Sequence, residues 1–216
     1  MRRYGLVFAL IPAILAASIG LAYYSYTRTR TDRRLVMETM AALAREKVFS
    51  VENEIVKAEQ EVFGAVEYDK KHELGTLLEG RPFSSAFLLD NNGKIVPGGT
   101  YVTGGKEARR FFEERVLPEL DLEGAGPNQR LHLHKRFDGR ARLFSYMRRF
   151  SPGRYTDYFV VLEVNLFDLV EKVFPRFFGE AGAKQIYQVV DEHGSMIFGY
   201  RFTGVSPSAI VELGFP

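Results

Sequence analysis

Leu88-Leu89-Asp90-Asn91-Asn92-Gly93-Lys94-Ile95-Val96-Pro97-Gly98 reads apolar-apolar-Asp-x-x-Gly-x-apolar-apolar-x-Gly. So does Val189-Val190-Asp191-Glu192-His193-Gly194-Ser195-Met196-Ile197-Phe198-Gly199, with every element 101 residues further on. Each copy predicts a strand, a tight turn and a strand. The Asp side chain bonds the backbone ahead of it to open the turn, and Gly supplies the positive φ. One such hairpin says little, but two a domain-length apart point to two similar modules.

The order between the copies follows from local signals. Residues 106–117 predict a helix carrying Phe111, Phe112, Val116 and Leu117, stopped by Pro118. After a loop at 124–128, residues 130–137 and 140–150 predict strands joined at Asp138-Gly139, a two-residue hairpin signal. A turn at 151–154 leads to a third strand, 157–164. Asn165 then predicts a cap for a helix over 166–178, interrupted at Pro175. Hairpin, helix and three antiparallel strands make an α+β fold, an antiparallel sheet with helices on its face.

Upstream, residues 31–67 hold no Pro and no Gly before Gly64, so they predict one long helix with Thr31 or Asp32 as its N-cap. Val36, Met40 and Leu43 recur on it, followed by Val48, Val51, Ile55, Ala58, Val62 and Ala65 at heptad spacing. The step from Leu43 to Val48 shifts the register once. Two readings of this seam stay open: it pairs two protomers, or it packs on its own domain. The Glu, Lys and Arg of the helix read as solvated faces. Further upstream, residues 4–26 are 23 positions without a charge, where a bilayer core needs about 20. Tyr4, Tyr23, Tyr24 and Tyr26 mark the two ends, and the stretch is longer than a signal-peptide core, so it predicts an uncleaved transmembrane helix. Arg2 and Arg3 on one side and Arg28, Arg30, Arg33 and Arg34 on the other do not choose its orientation.

A net charge of +2 without a basic run gives no argument for nucleic acid, and the absence of cysteine excludes disulfides, thiolate metal sites and cysteine nucleophiles. Gly104-Gly105-Lys106 is followed by Glu107 where a phosphate-binding loop has Ser or Thr. His132 and His134 alternate on one strand face, but no third metal ligand is suggested beside them. No catalytic residues, metal or cofactor are expected. The candidates for binding a small ligand are Arg142, Tyr146 and Arg148, which share a strand face with Phe144, and Tyr158 on the next strand. Either arginine would hold a carboxylate bidentately. The plainer reading makes Phe144 and Tyr146 core and leaves both arginines at a wet rim.

These features together resemble the extracytoplasmic PAS-like sensor fold called Cache, in its double form. The resemblance rests on the uncharged stretch 4–26, the helix 31–67, the two Asp-x-x-Gly hairpins and the segment VVLEVNLFDLVEKVFPRFFG at 160–179, which is similar to the connector between modules in bacterial sensor histidine kinases. It implies a cytoplasmic N-terminus (1–3), a transmembrane helix (4–26), a membrane-proximal helix (27–67), a first module (68–165), a connector (166–185) and the start of a second module (186–216). It further implies a bacterial inner-membrane location with the soluble part extracytoplasmic, membrane lipid around the anchor, and a homodimer through the seam Val48, Val51, Ile55, Ala58 and Val62. An unknown small-molecule ligand is implied as well, and a cytoplasmic response regulator reached only through a transmitter. The sequence departs from the family in stopping at Pro216, soon after the second hairpin, and in holding neither a second membrane helix nor a transmitter. A fragment of a larger receptor or a truncated one is therefore expected. The competing function is a membrane-anchored assembly protein whose PAS-like domain makes contacts.

Overall fold

The computed structural model describes the backbone of residues 2–179, 187–190 and 196–199, and side chains from residue 17 onward except at 196 and 197. The described residues divide into two compact units, one up to Val48 and one from Phe49 onward. The division falls inside the helix α1, Arg2–Ala65, which is 64 residues long.

In the first unit α1 is already helical well before residue 31, which corrects the N-cap assigned to Thr31 or Asp32. Thr31 Oγ1 donates to the Thr27 carbonyl 3.0 Å away, and Thr29 and Thr39 bond back in the same way four residues earlier. These hydroxyls are satisfied by the helix's own carbonyls and cap nothing. Tyr23, Tyr24, Tyr26, Leu35, Val36 and Met37 are exposed. Among the described residues no helix is long and apolar enough to cross a membrane. Most of the expected span, 4–16, has its side chains outside the described residues.

The second unit is a mixed α+β structure around a five-stranded antiparallel sheet in the order β2-β1-β5-β4-β3. Its strands are β1 (Phe83–Asp90), β2 (Ile95–Val102), β3 (Arg130–Phe137), β4 (Arg140–Ser151) and β5 (Thr156–Val164). Short helical turns over Tyr68–Glu73 and α2 (Leu74–Leu78) lead into β1. The predicted helix after β2 runs as α3 (Gly105–Phe111), a π turn over Phe112–Val116 and a 3₁₀ turn over Leu117–Glu119 that contains Pro118. After β5 the chain is helical through α4 (Leu166–Asp168), a π turn over Leu169–Val173 and α5 (Phe174–Phe178). Asn165 caps that stretch, its Oδ1 accepting from the Phe167 and Asp168 N–H groups at 3.1 and 3.2 Å. A separate hairpin pairs β6 (Gln188–Val190) with β7 (Met196–Gly199).

The turn chemistry is the one read from the sequence. Asp90 Oδ1 accepts from Asn92 N–H at 2.9 Å and Lys94 N–H at 2.8 Å, and Gly93 has φ +76°. Asp138 and Gly139 both have positive φ, as a tight hairpin with the right twist requires. The last glycine of each repeat, Gly98 and Gly199, is also left-handed, at +75° and +101°. The second turn, 191–195, lies outside the described residues.

Period-two alternation fails in β1 and β5 because both strands are central and covered on both faces. On one face Val51, Ile55, Val62 and Phe63 of α1 pack on Ala86, Leu88, Leu143, Val160 and Leu162. On the other, Phe112, Val116 and Leu120 pack on Phe87, Leu89, Phe144, Phe159 and Val161. The seam is thus intramolecular. Val51, Ile55 and Val62 are at most 1% exposed, and Ala58 packs against the same cluster, while Val48 is half-buried in the first unit. This corrects the assignment of the seam as a dimer interface over 51–62, since those side chains are already spent on the sheet.

Candidate functional site

β4 pairs with both neighbours without a register shift, so Arg142, Phe144, Tyr146 and Arg148 lie on one face, the face that the helical stretch after β2 covers. Aromatic rings pack together at the centre of that face. The Phe87 and Phe112 rings stack at 3.7 Å between centroids, and Phe112 and Phe137 flank Phe144 at 6.2 and 6.4 Å. Tyr146 is buried among them, and its hydroxyl accepts from the Asp121 N–H at 3.2 Å, fixing the loop after the 3₁₀ turn. Burial pushes the Tyr146 phenol above its ordinary range.

The two arginines are engaged in different ways. Arg142 pairs with Glu163 at 2.6 Å and lies over the Phe111 ring at 4.2 Å. Glu163 also accepts from Ser85 Oγ at 2.8 Å, so this pair belongs to the wall of the core. Arg148 makes a forked contact with Asp157 Oδ2 at 2.5 and 3.1 Å. It lines an open cleft of about 760 Å³, bounded by Asn91–Gly93 of the first hairpin turn, by Leu120–Glu123, and by Asp157 and Phe159. Tyr158 is not beside these residues. It pairs across the strands with Arg149, one position away from Arg148, and therefore points to the α1 face. There its hydroxyl donates to the Val66 carbonyl at 3.1 Å, and burial pushes its phenol up. Of the four predicted ligand residues, Arg148 alone borders the cleft.

Compared with models of known protein families and with curated proteins, the chain matches none.

A smaller groove of about 230 Å³ runs between α1 and the helical stretch after β5. Arg176–Glu54 at 2.9 Å and Arg81–Glu61 at 3.4 Å border it. Reading the sequence did not find it, because the ion pairs join residues far apart in the chain.

The feature most clearly missed is Glu59. It lies on α1, where the helix carboxylates were read as solvated, yet it is fully buried against the sheet. Ser145 Oγ donates to its Oε1, Arg130 Nη1 lies 3.1 Å from Oε2, and His132 Nε2 lies 3.4 Å from both oxygens. The signal was present in the heptad, since Glu59 follows Ile55 by four residues and precedes Val62 by three, inside the apolar stripe. His132 is thus directed to a carboxylate on α1, while His134 is exposed. Among the described residues no group of three or more His, Asp or Glu is placed to hold a metal ion.

Proposed function

We propose that the chain is the membrane-anchored, extracytoplasmic input region of a bacterial signal-transduction receptor, a sensor histidine kinase of double Cache architecture. One observation carries this reading. An unbroken helix leads from the uncharged stretch at 4–26 to a five-stranded antiparallel sheet whose element order is hairpin, helix, three strands. The second Asp-x-x-Gly hairpin, packed by Phe198 against Phe174 at 5.8 Å between rings, is read as the opening of the second module. On this reading the anchor sits in lipid and the sheet domain receives a small molecule at the cleft beside Arg148. A homodimer then forms through α1 before Val48, where Leu35, Val36 and Met37 are exposed. The signal reaches a response regulator through a transmitter outside this chain.

A second reading is favoured by the filled space between the sheet and α3. With Phe87, Phe112 and Phe144 occupying it, the domain would serve as a contact module of a membrane-anchored assembly protein. Alkaline phosphatase fused after Pro216 tests the shared premise. The sensor reading expects an active fusion in the bacterial periplasm; an inactive, well-expressed fusion would put the sheet domain in the cytoplasm. Thermal-shift screening with small acids and amines then separates the two readings. Stabilisation that Arg148→Ala abolishes supports the sensor.

A further inference from the structure

We propose that Glu59 is a register lock: its carboxylate, seated among Ser145, Arg130 and His132, selects one axial position of α1 on the sheet from several that the apolar seam alone would accept. This goes beyond the receptor reading and does not depend on it.

Val51, Ile55, Ala58 and Val62 are spaced at alternating four and three residues, so sliding α1 by one turn puts each aliphatic side chain near the place of the next. Apolar packing of this kind discriminates weakly between such positions, and one-turn steps of about 5.4 Å are a known mode of helix rearrangement. The carboxylate breaks the degeneracy. A one-turn slide in one direction brings Ile55 or Val56 to the socket, and in the other Val62 or Phe63. Either slide takes the carboxylate away from Arg130, His132 and Ser145 and carries Glu59 into apolar surroundings. The next carboxylate in phase is Glu52, a full heptad away.

The pattern of partners fits a selector better than a simple staple. α1 is also tied to the sheet near its end, where Arg149 donates to the Phe63 carbonyl and Tyr158 to the Val66 carbonyl. Those bonds use main-chain oxygens, an acceptor that every residue repeats. Glu59 is specific to one position, and its three partners come from two adjacent strands, β3 and β4. Buried ionic groups add little net stability compared with apolar replacements, and fixing register is the best-attested reason to keep them.

The test uses the full chain in detergent micelles. Because the sequence has no cysteine, Asn53→Cys on α1 and Arg140→Cys on the sheet, both exposed, give a single pair of spin labels. Pulsed electron resonance should find one narrow distance in the parent. The deciding variant is Glu59→Leu/Arg130→Met/His132→Leu, which removes the carboxylate and its two β3 partners together. It should remain folded by circular dichroism and show a broadened distribution or a second distance, from a displacement of about 5 Å along the helix axis. Tyr158→Phe is the control and should keep the single distance. A narrow, unmoved distance in the triple variant overturns the proposal. So does its unfolding, which would make the cluster a support of the fold, and so does equal broadening in Tyr158→Phe.

Discussion

Arg142 and Arg148 share a strand face but not a role. The Arg142 guanidinium is 30% exposed and its partner Glu163 13%, whereas Arg148 and Asp157 are exposed to 35% and 33%. Arg142→Ala leaves a mostly buried carboxylate with only the Ser85 hydroxyl, so it should cost about 1.5–3 kcal/mol by urea unfolding. Arg148→Ala breaks a wetter pair and should cost under about 1 kcal/mol. If the two losses came out equal, the division into a core-wall arginine and a rim arginine would be wrong. The buried phenols give a pH dependence. Tyr146 and Tyr158 both titrate above their ordinary value, chiefly from burial. The unfolded chain therefore loses these protons at lower pH than the folded one. The stability they contribute is complete below about pH 10 and falls as pH rises toward the folded values. Tyr158→Phe should cost about 1 kcal/mol at neutral pH through the lost bond to Val66 and should flatten the alkaline limb of the stability curve. An alkaline limb as steep as the parent's would exclude Tyr158 as a source.

At the scale of elements, most of the sheet was legible. Asp138-Gly139, Asp90 with Gly93, and Asn165 each state a local backbone requirement, and the structure meets each one as expected. What sequence period cannot supply is the identity of the covering surface. A heptad stripe says that Val51, Ile55 and Val62 are buried, and the same stripe suits a second chain or the chain's own sheet. Tyr158 shows the other gap. Its face depends on the β4–β5 register, and a one-residue difference exchanges the two sides of a strand. Glu59 was hidden because helical carboxylates are usually solvated, and its partners lie more than 70 residues away. The intramolecular seam makes a definite prediction. Ile55→Glu introduces an unpaired charge at a side chain that is 1% exposed and should cost about 3–5 kcal/mol, seen as loss of native circular dichroism. A variant that kept native ellipticity and only changed sedimentation would return the seam to the dimer interface.

Across the whole molecule, the best-read property was the order of elements and the least accessible was the state of the interior. Counting aromatic residues along Phe87, Phe112, Phe137 and Phe144 does not reveal whether they wall a cavity or fill it. The 3.7 Å stacking of Phe87 on Phe112 decides for filling, and leaves the cleft beside Arg148 at the rim. The limits of the molecule were harder to read than its middle. The cut between units falls within α1, where helix propensity is continuous and leaves no boundary signal.

The pairing of β1 with β5 governs how the protein is made. Asp90 ends β1 and Thr156 begins β5, so about 65 residues must be added before β1 acquires its second neighbour. At ~5–20 residues per second that wait is several seconds long, far slower than hairpin closure in microseconds. During it the β1–β2 hairpin can form, while one edge of Phe87, Leu88 and Leu89 stays open to any other extended chain. Nascent chains are therefore vulnerable to association until β5 arrives, and a stall in synthesis between residues 90 and 156 would prolong the hazard more than a stall later.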